Sequence, residues 1–339
     1  MAKGSISSFL KRKNIEISAK RYGIDALSAM AQGLFCSLLI GTIINTIGTQ
    51  FHIGFLTDPV WVVNDTTSYT VGGLAVAMTG PAMAIAIGYA LKCPPLVLFS
   101  LAAVGFAANG LGGAGGPLAV LIIAIIAAEF GKAVQGETRV DILVTPLVTI
   151  GVGVALSAWW APGLGAAAMK IGSLIMWATE LKPFLMGIIV SVVVGVALTL
   201  PISSAAICAA LGLTGLAGGA AVAGCCAQMV GFAVMSFPEN RWGGLVSQGI
   251  GTSMLQMGNI VKNPRIWIAP TLTSAITGPI ATCIFRMQMN GAPVSSGMGT
   301  CGLVGQIGIY SGWVADVASG VKTAITGMDW AGLILICFV

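Results

Sequence analysis

Five polar side chains recur at helical spacing within one stretch of this sequence, residues 246–274. They stand at positions i, i+4, i+8, i+11 and i+15 and are Gln248, Thr252, Gln256, Asn259 and Asn263. On one α-helix this spacing puts all five on a single face. The apolar residues predicted for the opposite face are Ile250, Met254, Met257 and Val261. Amides and hydroxyls donate and accept hydrogen bonds without carrying charge, so the chemistry they offer is the binding of a neutral polar group.

The rest of the chain is strongly apolar, and this changes what the polar face must do. Of 339 residues, 56% are hydrophobic and only 8% are charged, whereas soluble domains carry roughly a quarter charged residues. Apolar runs of ~17–25 residues recur, and such runs cross a bilayer as helices. We therefore predict an all-α polytopic membrane protein with about ten membrane segments, including broken helices. Because lipid cannot satisfy polar groups, the polar face must contact protein, water or a ligand.

The charge distribution predicts the orientation of the chain in the membrane. Residues 1–25 form a basic segment whose cations precede the first span, and these are Lys3, Lys11, Arg12, Lys13, Lys20 and Arg21. Cytoplasmic loops carry an excess of Lys and Arg, so we expect the N-terminus to be cytoplasmic and the net charge of +5 to reflect topology, with no nucleic-acid partner. The loop after the first span carries Asp58 and Asp65 but no Lys or Arg, and it is predicted to be external.

We expect residues 26–339 to form a single integral-membrane domain. Within it, residues 26–160 contain the spans of the first half. Residues 161–182 are predicted to be an interfacial helix because they carry Lys170 in an otherwise apolar run. Residues 183–320 contain the spans of the second half together with re-entrant elements.

Three short apolar segments are interrupted by glycine and proline, at residues 94–116, 201–219 and 291–312. Interruptions of this kind are typical of the discontinuous helices that build substrate sites in secondary transporters. An alternative is that the glycines only allow close helix packing, as small residues do in membranes. Because each cluster also contains Pro, Ser or Asn, we favour re-entrant elements.

The polar residues of these breaks add to the candidate site. The candidate solute-binding residues are Ser203, Ser204, Gln248, Thr252, Ser253, Gln256, Asn259, Asn263 and Asn109. Each of them alone could instead make a helix–helix hydrogen bond worth ~0.6 kcal/mol. Asn263-Pro264-Arg265 most simply ends one helix and starts another, although Arg265 could meet an anionic group at the cytoplasmic face.

No catalytic constellation is present in the sequence. The chain has one histidine, no P-loop and no glycine-rich dinucleotide turn, and its eight cysteines include no CxxC pair. We predict no catalytic residue, no cofactor and no metal site. Ionisable residues are nearly absent from span centres, which argues against a proton relay.

The order of the segments resembles the membrane-embedded enzyme IIC of phosphotransferase-system sugar transporters, most closely the fructose-like type and its stand-alone branch named after a perfringolysin regulator. The resemblance is carried by GPLAVLIIAIIAAEFGKAV with RVDILVTPLVTIGVGV, by LKPFLMGIIVSVVVGVALTLPISSAAI, and by SQGIGTSMLQMGNIVKNPRIWIAPTLTSAITGPIATCI. It covers most of residues 25–320. It implies a homodimeric permease of the bacterial cytoplasmic membrane, with a scaffold domain and a substrate domain that moves to give alternating access.

The sequence departs from that family at one position of the substrate loop. Many relatives carry a Thr–Glu pair there, whereas this chain has Thr252 and Ser253 and no acid between Glu239 and Asp316. Phosphotransfer to a solute would need separate cytosolic proteins. Two functions follow: a permease that moves a small polar solute, with sugar as the family's solute, or a solute-sensing regulator of the same fold without net transport. A passive channel is a third, weaker interpretation, because the broken segments favour gating on both sides.

Overall fold

The computed structural model describes residues 2–64 and 67–338 of the chain. Its N-terminal helices are α1 (Ala2–Arg12), α2 (Ala26–Leu34), α3 (Ile40–Gln50), α4 (Gly54–Thr57), α5 (Val71–Ala77), α6 (Thr79–Ala90), α7 (Pro95–Gly112), α8 (Gly116–Val134) and α9 (Asp141–Thr179). The C-terminal helices are α10 (Pro183–Thr199), α11 (Ser204–Ala210), α12 (Gly215–Met235), α13 (Phe237–Val246), α14 (Met257–Lys262), α15 (Ile268–Pro279), α16 (Val304–Ala318) and α17 (Gly327–Phe338). Strands β1 (Trp61–Asn64) and β2 (Thr67–Tyr69) form an antiparallel hairpin. Asp65 of the predicted external loop lies outside the described residues.

Five helical stretches among the described residues are long and apolar enough to cross a membrane. They are Arg21–Gln50, Pro95–Val134, Asp141–Thr179, Gly215–Met235 and Pro264–Ile284. Helices α5 and α6 add a sixth if they count as one span, although they meet at a bend of 51°. The predicted class, an all-α polytopic membrane protein, is confirmed, but five or six spans do not support the predicted total of about ten segments.

Helix α9 accounts for part of the difference between the predicted number of membrane segments and the five or six spans. It runs for 39 residues through Pro162, where a span ending at residue 160 and a separate interfacial helix were expected. Ala161, Ala168 and Ile175 are buried at seven-residue spacing, so one face of the helix is packed on both sides of the proline. Such packing offsets the backbone hydrogen bond that a proline removes. The interfacial position of the second part of this helix stays a prediction.

The described chain separates into two compact units. The first comprises Met1–Ala166 and Met257–Lys262, and its helices α2, α6, α7 and α8 pack on one another. The closest approach lies between α6 and α7, where a Cβ added to Gly80 or to Gly105 would stand 2.2 Å from the carbonyl oxygen of the other. A Cβ at either position would clash with the facing backbone, so glycine at both allows this close helix approach.

Charged side chains are buried at one end of the first unit, which we call the charged end. Lys132, only 1% exposed, forms an ion pair with Glu129 at 2.8 Å and donates to the carbonyl oxygen of Leu91 at 3.3 Å. Arg21 donates to the same carbonyl at 2.7 Å, and the Tyr22 hydroxyl donates to Glu129 at 3.0 Å. Each of these buried charges therefore has a partner, as burial of a charge requires.

The basic N-terminal segment contacts the loop after α8 at this end. Arg12 and Lys13 form ion pairs with Glu137 at 2.7 and 2.5 Å, and Lys13 also donates to the Gln135 carbonyl oxygen. The hydrogen bond from Lys13 lowers the pKa of the exposed Glu137 carboxyl. The segment and the loop thus lie at the same end of the unit, which is compatible with the predicted placement of both on one side of the membrane.

The second unit comprises Ala167–Gln256 and Asn263–Val339. Helices α10, α12 and α15 pack on one another at its centre. A Cβ added to Gly224 of α12 would stand 1.9 Å from the carbonyl oxygen of Ser191 on α10, so these two helices cross at van der Waals distance. A buried cluster that includes Val222, Ile309 and Trp313 packs the later helices against α12.

Candidate functional site

The polar stretch that begins at Val246 is not one helix, so the prediction of a single helix was wrong. Its successive parts are the end of α13 at Val246, a π-helical turn Ser247–Gly251, a 3-10 turn Ser253–Gln256, and α14. Thr252 between the two turns is extended, with φ −157° and ψ 138°. Its hydroxyl accepts from the backbone N–H of Met254 at 3.2 Å. Glycines at 249 and 251 and this local hydrogen bond favour a break over a continuous helix.

The break also divides the predicted polar face. Gln248, Thr252 and Gln256 are buried, at 3%, 5% and 6% exposure. Asn259 and Asn263 are exposed instead. The opposite face is mixed as well, since Met254 and Met257 are buried but Ile250 and Val261 are exposed. The five residues therefore do not form one continuous polar surface, and only the first three are enclosed by protein.

Two glutamines connect the turns of this stretch, and we call them the glutamine pair. The side-chain amide of Gln256 donates to the side-chain oxygen of Gln248 at 2.8 Å. Gln248 in turn donates to the Ser236 hydroxyl, just after α12, at 2.8 Å. The eight-residue spacing that suggested a shared helical face thus corresponds to a direct hydrogen bond across two turns.

A second set of polar groups surrounds Gln228 of α12, and we call it the Gln228 network. The Gln228 oxygen accepts from the Thr199 hydroxyl at 3.3 Å and from the Trp267 indole N–H at 3.0 Å. Its amide donates to the Thr271 hydroxyl at 3.3 Å. The Thr199 and Ser253 hydroxyls are 2.8 Å apart, and Gln228, Thr199 and Ser253 are fully buried. Four elements of the second unit thus meet at one amide.

Gln228, Thr199, Trp267 and Thr271 are not among the candidate solute-binding residues named from the sequence. Thr199 is the last residue of α10, directly before the Leu200-Pro201 break. Trp267 and Thr271 follow the Asn263-Pro264 turn at helical spacing, and the Thr271 hydroxyl also donates to the Trp267 carbonyl oxygen at 2.7 Å. The sequence signal that could have identified these residues is a polar side chain close to a predicted helix break.

The two broken segments of the second unit contact each other directly, and we call them the paired segments, residues 201–215 and 287–303. The Ser204 hydroxyl donates to the Gly297 carbonyl oxygen at 2.7 Å, and the Ser296 hydroxyl donates to that of Leu213 at 2.6 Å. Gly215 and Met289 form an antiparallel bridge. Ser203 instead caps α11 by accepting from the Ala206 N–H at 3.1 Å.

The remaining predicted residues lie apart from these groups. Asn109 belongs to the first unit, where Gly80 and Gly116 leave space for its side chain. Asn259 lies on α14, which also belongs to the first unit. Asn263 caps the turn Pro264–Trp267 by accepting from the Arg265 N–H, so the predicted helix end and restart at this position are confirmed.

All members of the glutamine pair and of the Gln228 network are neutral donors and acceptors. Such groups recognise hydroxyl and amide groups of a ligand through neutral hydrogen bonds. Among the described residues, no group of three His, Cys, Asp or Glu side chains could bind a metal ion.

The fold and these sites together define a polytopic helical membrane protein that encloses neutral hydrogen-bonding groups. A family model described as "Phosphotransferase system, EIIC" matches residues 24–339. The chain belongs to this family, the membrane-embedded permease components of sugar transport. Comparison with curated proteins and with solved structures finds no match.

Proposed function

We propose that this protein moves a small polar solute, a sugar or a similar polyhydroxylated molecule, across the bacterial cytoplasmic membrane by alternating access. The observation that carries the proposal is the enclosure of the glutamine pair and the Gln228 network in a unit that also contains the paired segments. Neutral amides and hydroxyls bind hydroxyl groups by several moderate hydrogen bonds, which gives specificity while allowing release.

The proposed binding residues are those predicted from the sequence, and the structure supports some of them more than others. Gln248, Thr252, Ser253 and Gln256 are buried beside neutral partners, and a solute would exchange hydrogen bonds with them. Ser203 and Ser204 belong to the paired segments, whose irregular backbone is tolerated at membrane depth only inside protein or beside a cavity. Asn109, Asn259 and Asn263 stay in the proposed set on the grounds of the sequence pattern alone.

Several further properties follow from the family resemblance and are part of the proposal. The protein would be a homodimer with a scaffold domain and a moving substrate domain, and with a cytoplasmic N-terminus. We propose that the shorter apolar helices α10 and α17 and the paired segments lie in the membrane beside the five or six spans. This would bring the number of membrane segments to about ten.

The stretches that carry the resemblance support assignment to the fructose-like type and to the stand-alone branch named after a perfringolysin regulator. In that branch we expect separate cytosolic proteins to supply the phosphoryl group. The polar stretch would then contact the solute before the solute reaches the cytosolic phosphotransfer proteins.

Uptake into proteoliposomes tests the proposal. The purified protein is reconstituted and supplied with labelled sugars, with the cytosolic phosphotransfer proteins enclosed. Gln256→Leu should abolish uptake because it removes one member of the glutamine pair, and Asn259→Leu tests the unburied part of the predicted face. Gln32→Leu makes the same change at an exposed glutamine of α2 and should transport normally. Normal uptake by both Gln256→Leu and Asn259→Leu would refute the site.

A solute sensor is the second candidate function, and one observation favours it. No Asp or Glu lies between Glu239 and Asp316, so the loop with Thr252 and Ser253 lacks the acid that many relatives carry there. A neutral site can bind a sugar without assisting phosphotransfer to it. Saturable binding without uptake, even with the phosphotransfer proteins present, would support the sensor, whereas coupled uptake would eliminate it.

A further inference from the structure

A basic cavity lies at one end of the second unit, away from the glutamine pair and the Gln228 network. It has a volume of about 430 Å³ and lies where α10 begins and the span Pro264–Ile284 ends. Its lining includes two cations, Lys182 and Arg286, together with Phe184, Leu216, Thr282 and Gln288. None of the described residues that line it is acidic, so no described lining residue neutralises the two positive charges.

The walls of this cavity are fixed to each other. The Thr282 hydroxyl donates to the carbonyl oxygen of Pro183 at 2.8 Å, which ties the end of one span to the start of α10. One helical turn away, a Cβ added to Gly278 would stand 2.1 Å from the carbonyl oxygen of Gly187. The two helices are therefore in close contact and joined by a hydrogen bond, and Lys182 and Arg286 lie beside one cavity.

Both cations are available to a ligand. Lys182 and Arg286 are exposed, and neither forms an ion pair among the described residues. Arg286 has φ +46°, in the left-handed region, directly after the span Pro264–Ile284. Residues with a side chain adopt that conformation uncommonly.

An exposed, large apolar side chain lies two residues from each of the two cations along the chain. Phe184 beside Lys182 is 56% exposed, and Ile284, two residues before Arg286, is 60% exposed. Cations next to exposed apolar side chains at a helix end are typical of the boundary between acyl chains and headgroups. A soluble anion would gain nothing from the apolar surface, whereas a phospholipid would use both parts.

We propose that this cavity binds the phosphate of an anionic phospholipid such as phosphatidylglycerol, with its acyl chains lying over Phe184 and Ile284. Arg286 would bind two phosphate oxygens through its planar guanidinium, and Lys182 would contribute a point charge. Basic pockets between transmembrane helices are the sites where anionic headgroups bind in membrane proteins. The site is separate from the proposed solute site and does not depend on it.

Lipid retention measured by native mass spectrometry tests this proposal. The full-length protein is released from nanodiscs of phosphatidylcholine that contain increasing phosphatidylglycerol. The double variant Lys182→Gln/Arg286→Gln should retain phosphatidylglycerol about tenfold more weakly, since each cation near the surface contributes a several-fold gain in affinity. The matched control Lys170→Gln/Arg139→Gln also removes one exposed lysine and one exposed arginine, and it should retain lipid like the wild type. Equal retention by both double variants would overturn the proposal.

Inorganic phosphate separates a lipid phosphate from a soluble one. It is added as a competitor to the wild-type protein in nanodiscs that contain phosphatidylglycerol. We expect it to leave lipid retention unchanged, because it lacks the acyl chains. If phosphate alone displaces the lipid and its effect requires Lys182 and Arg286, the cavity is a site for a soluble anion and the lipid assignment is wrong.

Discussion

The charged end of the first unit and the Gln228 network of the second bury polar groups of different kinds. At the charged end, Lys132 and Glu129 form an ion pair that Tyr22 and a backbone carbonyl oxygen complete. Around Gln228, every contact joins uncharged donors and acceptors. A buried charge needs its partner at all times, so the first arrangement favours one fixed structure. Neutral hydrogen bonds can be exchanged at low cost, which suits a region where a solute enters and leaves.

Removal of one charge at the charged end should have the largest effect. Glu129→Leu leaves Lys132 buried without its counter-charge, and we expect a loss of ~3 kcal/mol in the free energy of unfolding. The measurement is unfolding by denaturant in detergent. Glu16→Gln removes a 71% exposed partner of Arg21 and should cost no more than ~0.5 kcal/mol. Equal losses in the two variants would contradict the role assigned to burial.

A substitution at the crossing of α10 and α12 should cause the second-largest loss of stability. Gly224→Ala places a methyl group against the Ser191 carbonyl oxygen, four residues before Gln228, and we expect a loss of ~2 kcal/mol. Gly151→Ala adds the same methyl group to α9 at a position with nothing within 4 Å, so it should be neutral or slightly stabilising. Thermal unfolding in detergent compares them, and a tolerated Gly224→Ala would show that the crossing is looser than described.

Loss of the Gln228 side-chain amide should reduce stability less than Glu129→Leu or Gly224→Ala. Gln228→Met leaves the Trp267 N–H without its acceptor and removes one of the hydrogen bonds of the Thr199 hydroxyl, and we expect a cost of ~1–2 kcal/mol. Gln32→Met, at an exposed glutamine, should change stability by no more than ~0.5 kcal/mol. If Gln228→Met proves as costly as Glu129→Leu, the contrast between the charged and the neutral region fails.

Acidification should have the smallest effect. The hydrogen bond and ion pairs with Lys13 and Arg12 lower the pKa of Glu137. The contribution of Glu137 to holding the N-terminal segment is therefore present in full above the ordinary glutamate pKa. It is lost as pH falls through the lowered pKa of the folded protein. Limited proteolysis by an acid-active protease should show release of the N-terminal segment in wild type only as pH falls, whereas Glu137→Gln, which lacks the carboxylate at every pH, should show it across the whole range tested. Identical profiles would mean that Glu137 does not retain the segment.

The sequence predicted the membrane class and several spans well because apolar length alone determines them. The span Pro264–Ile284 and the shorter apolar helix α10 both lie within residues 183–320, where the spans of the second half were predicted. Packing continues α9 as one helix through Pro162, where the sequence predicted a separate interfacial element from residue 161. Burial of one face, which depends on distant helices, is not visible in the local sequence.

Glycines show a second limit of prediction. Gly212 and Gly215 have φ of +61° and +62° and form a break, as predicted for residues 201–219. Gly219 of the same cluster lies inside α12, where a Cβ would stand 1.9 Å from the Met287 carbonyl oxygen. The two uses of glycine, for a turn and for close packing, look alike in sequence. Only the residues that pack against each glycine in the folded protein distinguish a turn glycine from a packing glycine.

The candidate site was predicted in part. The periodicity identified Gln248 and Gln256, which do contact each other, but it assumed a helix through Thr252 that the structure does not contain. Asn259 therefore lies on a different element from the one expected. The contacts of the Gln228 network could not be predicted, because its members come from five separate elements, α10, α12, two 3-10 turns and α15.

A ligand screen by thermal shift tests the central claim most directly, that the buried neutral groups of the second unit bind a polar solute. The purified protein is screened against neutral sugars and polyols, and against anionic solutes of similar size. We predict that a neutral polyhydroxylated compound raises the melting temperature, with an increase that grows with the logarithm of its concentration. The increase should disappear in Ser253→Ala and in Gln256→Leu but persist in Gln32→Leu. A shift that survives both site variants, or that only anionic solutes produce, would contradict the account.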